Sequence, residues 1–282
     1  MNWQLFAALS ALFTALSAIA IKFAANRLEK QSVGLVCQYV VAVAVSWLIA
    51  FWLRGNIVIS AVPLYLGILQ TFATFLYWNA MKISMSKTST AIHFKDAISA
   101  LLGIIFLDEM SRLNPKFALG LVCCVIAIGI LSRKKHELSI VNWRWLGSIL
   151  GAVVIYGFVV FVMKLLSVSM SPEVFASNWY LGSLLASFAV SRLERPKSYI
   201  PERRVIVSCA VAGILVPLAL MLLMASFNSG GPLVFVTPLT TSVVVVASIL
   251  FGLFIFKERK HLSPKELSGL VIGVMGVILL VI

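Results

Sequence analysis

Residues 106–120 read FLDEMSRLNPKFALG, and residues 256–269 read FKERKHLSPKELSG. A shift of 149 residues superimposes the two stretches and brings Pro115 onto Pro264. Each copy follows one long apolar stretch and begins the next. The repeated motif therefore indicates that the chain uses one structural unit twice.

The composition around this motif is that of a membrane protein. Of the 282 residues, 61% are hydrophobic and 12% are charged, and the mean hydropathy is +1.04. Soluble domains carry about 25% charged residues, so this chain lacks the polar side chains that a water-facing surface needs. The net charge of +13 lies mainly in short gaps between apolar stretches, which favours membrane topology signals over nucleic-acid binding.

A membrane-spanning helix needs about 20 mostly apolar residues, and the sequence offers ten candidates. All gaps between them are short, so the chain is predicted to be one all-α, polytopic membrane unit without a soluble domain. The predicted spans are Trp3–Ala25, Val33–Leu53, Ile57–Met81, Thr88–Leu107, Pro115–Leu131, Leu146–Val168, Val174–Ser191, Val205–Phe227, Leu233–Phe256 and Pro264–Ile282.

The repeat divides these spans into two five-helix units, at residues 1–135 and 136–282. In the upstream spans the best shift is about 141 residues, which places Lys22 near Lys164. Five spans are an odd number, so the second unit must enter the membrane upside down. Inverted repeats of this kind are typical of secondary transporters, whose binding sites lie between the halves near the membrane midplane.

The motif at residues 106–120 and 256–269 resembles the EamA domain of the drug/metabolite transporter superfamily. The resemblance covers all ten spans and implies a ten-helix transporter, without indicating its substrate. Such domains usually carry a mid-membrane proline in the fourth and ninth helices. Here the fourth span has Lys95 and Asp96 near that point, and Pro238 lies several residues earlier in the ninth. The substrate chemistry is therefore expected to differ from that of better-known members.

Basic residues in the gaps predict the orientation. Of the 23 Lys and Arg residues, three lie within spans and three lie in even-numbered loops, so the remaining 17 lie in odd-numbered loops. The positive-inside rule then places the odd loops in the cytoplasm and both termini outside it, in a cell or inner membrane. Ten-helix members of the resembled superfamily usually have cytoplasmic termini, so the charge count and the resemblance disagree.

Asp96 is the carboxylate closest to the middle of a predicted span, and it stands beside His93 and Lys95. Charges within the bilayer are costly and are functional candidates by default. Asp96 and His93 are three residues apart and share one helix face. Two interpretations remain open: a buried ion pair with Lys95 or another basic residue, or a site for a substrate or a proton.

Lys22 and Lys164 are a second pair of intramembrane candidates, because the repeat relates them. Each lies about four residues from the end of its predicted span. Their ammonium groups can reach back to the lipid headgroups. Alternatively, two lysines at opposite mouths of a symmetric cavity would attract an anionic substrate.

Polar and aromatic side chains elsewhere in the spans could complete a binding cavity. Hydroxyl groups surround Pro238, although threonines can also bond to their own helix backbone. The remaining candidates for substrate binding or coupling are Gln38, Tyr39, Trp78, Asn79, Asn178, Trp179, Thr237 and Thr241.

These features favour a secondary transporter of a small polar or amphipathic metabolite, working by alternating access. The substrate could be anionic, and coupling could use protons or exchange. A lipid-intermediate flippase is the alternative, and a membrane-embedded enzyme is less favoured. His93, His136 and His261 are far apart, and neither HExxH nor GxSxG occurs. No catalytic residue, metal site, cofactor or nucleic-acid partner is predicted, and the protein is expected to be a monomer or a homodimer.

Overall fold

The computed structural model describes residues 3–56, 58–92, 94–107, 115–131, 143–196, 200–256 and 263–281. Within these ranges all regular structure is helical, and no β-strand occurs. The helices are α1 (Trp3–Ala25), α2 (Gln31–Arg54), α3 (Ala61–Ile83), α4 (Met85–Ile92), α5 (Phe94–Phe106), α6 (Pro115–Leu131), α7 (Trp143–Leu166), α8 (Pro172–Glu194), α9 (Arg203–Asn228), α10 (Leu233–Phe254) and α11 (Pro264–Val281).

Six of the described helices are long and apolar enough to cross a membrane. Ten spans are expected from the sequence, and six of the described helices meet this length and hydropathy requirement. A helix nevertheless occupies part of each of the ten expected spans. The six stretches are Trp3–Ala25, Gln31–Arg54, Ala61–Ile83, Trp143–Leu166, Arg203–Asn228 and Leu233–Gly252.

Several helices continue past the predicted ends of their apolar spans into polar residues. Helix α2 ends where Gly55 adopts a left-handed conformation (φ 73°) and its N–H bonds to the Phe51 carbonyl. Helix α8 ends in the same way at Arg195 (φ 46°), whose N–H bonds to the Ser191 carbonyl. Such left-handed residues satisfy carbonyls that the last helical turn leaves without partners. The apolar pattern marks the membrane core, whereas these caps mark the true helix ends.

The third helix begins later than predicted, at Ala61 instead of Ile57. The preceding backbone is extended, and the side chain of Asn178 holds it in place. Asn178 Oδ1 accepts a hydrogen bond from the Ser60 N–H at 2.9 Å, and its Nδ2 donates to the Val58 carbonyl at 2.7 Å. A side chain from α8 therefore provides the hydrogen bonds that a further helical turn would have made.

The predicted fourth span, Thr88–Leu107, corresponds to two helices, α4 and α5. Helix α4 begins three residues earlier, at Met85, and α5 ends at Phe106. His93, between them, lies outside the described residues.

Helix packing follows a mirrored scheme. Helix α1 packs on α9 and α10, while α7, the counterpart of α1 that the repeat predicts, packs on α3 and α5. Likewise α2 packs on α9, and its counterpart α8 packs on α3. The pairs α2–α8 and α6–α11 join equivalent helices directly. When each helix is replaced by its predicted repeat counterpart, every one of these contacts becomes another contact of the set or stays the same.

A close helix crossing in this scheme joins α3 to α8. A Cβ atom added to Gly67 would lie 1.9 Å from the Trp179 carbonyl oxygen, and one added to Gly182 would lie 2.0 Å from that of Leu64. Only glycine fits at such a close backbone approach. Across it, Thr71 Oγ1 donates to the Ser183 carbonyl at 3.1 Å. This crossing fixes two helices that contribute side chains to the central cavity.

Candidate functional site

A cavity of about 240 Å³ lies at the centre of the helix assembly, between helices from both halves of the chain. Its size is below the roughly 300–1,000 Å³ of pockets for drug-sized molecules, so it suits a small ligand. The lining residues are Ser10, Thr14, Ser17, Ala18, Ile21, Gln38, Tyr39, Gln70, Thr74, Tyr77, Ile92, Lys95, Tyr156, Val160, Met163, Trp179, Tyr180, Val216, Ala219, Leu220, Leu223 and Val244.

Aromatic rings with polar groups form much of the cavity wall. The rings of Tyr39 and Tyr180 have centroids 6.3 Å apart, and those of Tyr77 and Tyr156 are 6.4 Å apart in an edge-on arrangement. Tyr156 Oη donates to Thr74 Oγ1 at 3.1 Å. Such a wall can hold an apolar or aromatic body while its hydroxyl groups contact polar substituents.

Lys95 is the only residue of the described cavity lining that carries a charge at neutral pH. Its Nζ lies 2.9 Å from Asp96 Oδ1, and the Lys95 side chain is 21% exposed whereas that of Asp96 is 0% exposed. Gly157 on α7 allows α5 to approach closely here, since a Cβ at this glycine would lie 2.9 Å from the Lys95 carbonyl. The side chain of Lys95 is therefore partly exposed in the cavity lining, whereas Asp96 is enclosed and does not belong to the lining.

Asp96 also links the two halves of the molecule. Thr241 on α10 donates its hydroxyl hydrogen to Asp96 Oδ2, and both residues are buried. Asp96 thus contacts both Lys95 and a polar group on another helix, α10. The Lys95 side chain is long enough to pair with its sequence neighbour, even though adjacent helical positions point about 100° apart.

Gln38 contributes a buried acceptor to the same wall. The residue is 2% exposed, and its Oε1 has no hydrogen-bond partner within the part of the chain that the structure describes. Buried polar atoms are nearly always paired, so an exception in a cavity wall points to a ligand group that completes it. Trp179 lies in the wall as well and packs against Phe175, with ring centroids 5.1 Å apart.

Lys22 and Lys164 do not belong to the lining of this cavity. Lys22 is 4% exposed, so its ammonium group does not reach out of the protein; it donates to the Met81 carbonyl at 2.7 Å. Lys164 Nζ donates to the Gly231 carbonyl at 2.9 Å. Aromatic rings lie near both groups, Phe256 at 6.0 Å from Lys22 and Phe227 at 5.3 Å from Lys164. Both lysines satisfy backbone oxygens close to helix ends.

Three further candidates lie away from the cavity lining. The polar atoms of Asn178 are used on the backbone of Val58, Ser60 and its own helix. Trp78 is fully buried, and Asn79 is half-buried. Neither belongs to the lining, so the structure does not bring these three residues together with Lys95.

The two candidate threonines near Pro238 differ from each other. Thr237 donates to the Leu233 carbonyl of its own helix at 2.9 Å, which is the ordinary behaviour of a membrane threonine. Thr241 bonds across to Asp96 instead. His93 lies outside the described residues.

Several lining residues escaped the sequence argument, notably Thr74, Tyr77, Tyr156 and the hydroxyl groups of α1. The α1 residues Ser10, Thr14 and Ser17 are spaced by four and three positions, which places them on one helix face. This periodic set of hydroxyls within an apolar span was the available signal. The tyrosines carried no comparable periodicity.

Six described helices that are long and apolar enough to cross a membrane, with a cavity between the two halves of the chain, are the architecture of a polytopic membrane protein. A sequence model of the EamA-like transporter family matches residues 1–133 and again residues 143–282. The chain belongs to the EamA-like transporter family. Membership implies a small-molecule substrate and a lipid bilayer around the protein, as the resemblance of the repeated motif had predicted.

Comparison with solved structures gives the same fold. One, described only as a crystal structure of a protein, superposes with a TM-score of 0.68 over 98% of this chain and 97% of its own. The two sequences are 17% identical, so this likeness concerns the fold alone. No curated protein matches the chain significantly.

Proposed function

We propose that the protein is a secondary transporter that moves a small polar or amphipathic metabolite across the membrane by alternating access. The observation that carries this proposal is the central cavity, because helices from both halves line it and none of them encloses it alone. Rocking of one half against the other would open such a cavity to each side in turn. The GxxxxGK[ST] phosphate-binding motif does not occur in the sequence, so no P-loop ATPase motif is available to drive the cycle.

The architecture proposed for this mechanism is ten spans in two inverted five-helix units, residues 1–135 and 136–282. The mirrored packing of α1 on α9 and of α7 on α3 supports it. So does the pairing of equivalent helices in α2–α8 and α6–α11, as a two-fold axis in the membrane plane requires.

We place both termini outside the cytoplasm because 17 of the 23 basic residues lie in odd-numbered loops. Two contacts agree with the alternation of the proposed spans, because each contact joins two loops that lie on the same side of the membrane. Arg54 Nε lies 2.5 Å from Glu173 Oε1, and the Ser32 N–H donates to Glu194 Oε2 at 3.1 Å. A C-terminal reporter that is active only in the cytoplasm should stay silent. A strong reporter signal would place the C-terminus in the cytoplasm and contradict the proposed orientation.

Transport itself is tested with purified protein in sealed vesicles, using a panel of small metabolites. Saturable uptake above protein-free vesicles is expected for at least one of them. Val216→Trp should abolish this uptake by filling the cavity, because Val216 lines it. Val211→Trp is the matched control on the same helix, since Val211 is exposed on the outer surface. Absence of uptake across the panel, or equal uptake by both variants, would contradict the proposal.

Transport is proposed to be driven either by a proton gradient or by exchange of one substrate molecule for another. A variant of Asp96 can distinguish these two modes. Uptake is measured once under a pH gradient and once against substrate inside the vesicles. If Asp96 carries protons, Asp96→Asn loses gradient-driven uptake and retains exchange. Full gradient-driven uptake by this variant would exclude a proton-carrying role.

A further inference from the structure

We propose that the preferred substrate is an organic anion with a single negative charge and an apolar or aromatic body, and that its anionic group displaces Asp96 from Lys95. This inference rests on the proposed transport function and names the substrate class for the same cavity. Asp96 is then the resident counterion that holds the ammonium group until the substrate arrives.

The first argument is the direction of the buried ion pair. Lys95 is partly exposed to the cavity, whereas the Asp96 carboxylate is fully enclosed. The pair is neutral as a whole, but its positive end faces the ligand space. Coulomb attraction is much stronger in a weakly polar site than in water, so this end favours a negative group and disfavours a positive one.

The second argument is that the displaced carboxylate keeps a partner. The Thr241 hydroxyl bonds to one carboxylate oxygen, Oδ2, whereas Lys95 Nζ lies 2.9 Å from the other, Oδ1. Removing Lys95 from Asp96 therefore does not strip the carboxylate of hydrogen bonds. An exchange of one anion for another at Lys95 conserves the charge-assisted contacts of the ammonium group. The displaced Asp96 carboxylate must then take up a proton, because a buried charge without a countercharge is costly.

The third argument comes from the repeat. The shift of 149 residues that superimposes the two motifs places Lys95 opposite Val244, and both residues line the cavity. The fold itself thus accepts an apolar side chain at this position. The first half therefore carries a cation where the second half carries an apolar side chain. Recognition of an anionic substrate would require a cation at this place in the cavity.

The rest of the wall defines the body of the substrate. Tyr39, Tyr77, Tyr156, Trp179 and Tyr180 present aromatic surface within a volume of about 240 Å³. Ring faces and edges of this kind stabilise another ring by stacking and edge contacts. A compact aromatic or branched apolar body fits this lining better than a strongly hydrated polyol.

The test uses three probes of nearly equal shape and different charge: phenylacetate, phenylacetamide and phenethylammonium. Binding to the purified full-length protein is measured by calorimetry near neutral pH. Phenylacetate should bind saturably, and about 10-fold or more tighter than phenylacetamide, because a charge-assisted hydrogen bond is replaced by a neutral one. Phenethylammonium should bind more weakly still.

Two variants separate the roles of the pair. Asp96→Asn removes the competing anion and should tighten phenylacetate binding, by about 10-fold. The double variant Lys95→Gln with Asp96→Asn leaves no buried charge unpaired, so it should fold and should lose the preference for phenylacetate over phenylacetamide. Thr240→Val is the control, because the Thr240 hydroxyl donates to the Thr237 carbonyl within its own helix.

Several outcomes would overturn the inference. Equal binding of phenylacetate and phenylacetamide would do so, as would tighter binding of phenethylammonium. Unchanged or weaker phenylacetate binding by Asp96→Asn would refute the displacement step. Failure of all three probes to bind would also refute this substrate class, while uptake of another metabolite in the vesicle panel would leave the transport function intact.

Discussion

The lysines inside the helix assembly fall into two kinds. Lys22 and Lys164 occupy repeat-related positions, and each donates to a backbone carbonyl beside an aromatic ring. Lys95 has Val244 as its repeat counterpart, pairs with a carboxylate and faces the cavity. The two repeat-related lysines thus have the same structural role in both halves of the fold, which is to donate a hydrogen bond to a backbone carbonyl. Lys95 occurs in one half only, as is expected for a residue that binds a single substrate molecule.

The largest effect is expected at the asymmetric site. Lys95→Met leaves the Asp96 carboxylate buried without its cation, which should lower the free energy of unfolding by about 3 kcal/mol or more. Chemical unfolding in detergent measures this loss. Adding Asp96→Asn should restore most of the stability, because the unpaired charge is then gone. A single variant as stable as the wild type would show that Asp96 does not depend on Lys95.

A smaller effect is expected at the symmetric lysines. Lys22→Met and Lys164→Met should each lower the free energy of unfolding by about 2 kcal/mol, since a charged donor to a buried carbonyl is lost. Phenylacetate affinity should stay unchanged, because neither side chain lines the cavity. Lys116→Met is the control at an exposed position. A loss of affinity in either variant would erase the distinction between the two kinds of lysine.

At Gln38, a substitution is expected to affect protein stability and transport in opposite directions. Gln38→Met keeps the length of the side chain and removes a buried acceptor that has no partner in the described structure. The free protein should gain about 1 kcal/mol in unfolding free energy, since the desolvation penalty of that oxygen disappears. Substrates that donate a hydrogen bond should be transported less well. A destabilised variant would mean that the amide already has a structural task.

The smallest effect concerns the ion pair between the C-terminal end of α2 and the N-terminal end of α8. Burial raises the pKa of Glu173, but hydrogen bonds, foremost that from Arg54, outweigh it and hold the pKa below its ordinary value. Glu173 lies just before the apolar stretch Val174–Ser191. The pair is partly exposed, so its stabilisation is expected to be about 1 kcal/mol or less.

The sign of this pH effect follows from the lowered pKa of Glu173. Stabilisation is complete above the unfolded-state pKa of about 4.3 and is lost as pH falls through the lower folded-state pKa. Thermal unfolding of the wild type and of Glu173→Gln should therefore converge in acid and differ near neutral pH. A constant difference at every pH would exclude a contribution from Glu173 ionisation.

The sequence predicts the helical membrane fold well, because long apolar stretches and a repeated motif are strong local signals. Among the candidates that the sequence offers, Lys95, Gln38, Tyr39 and Trp179 line the central cavity, and Asp96 pairs with Lys95. The sequence cannot tell that Asn178 serves the backbone before α3, because that contact joins residues about 120 positions apart.

The same limit applies to the lysines. Their repeat relation indicates that Lys22 and Lys164 share a role, but not whether that role is binding or support. The decision depends on carbonyl oxygens at Met81 and Gly231, which helix packing brings within reach. Helix ends were displaced for a similar reason, since capping at Gly55 and Arg195 depends on backbone geometry and not on hydropathy.

The most direct test of the central claim compares two kinds of lysine variant in one transport assay. Vesicles loaded with phenylacetate exchange it against labelled phenylacetate outside, using the wild type, Lys22→Met, and the double variant Lys95→Gln with Asp96→Asn. The double variant should lose saturable exchange, while Lys22→Met should retain it per folded molecule. Retained exchange in the double variant would contradict the assignment of the anion site to Lys95, and loss of exchange per folded molecule in Lys22→Met would contradict the structural role of Lys22.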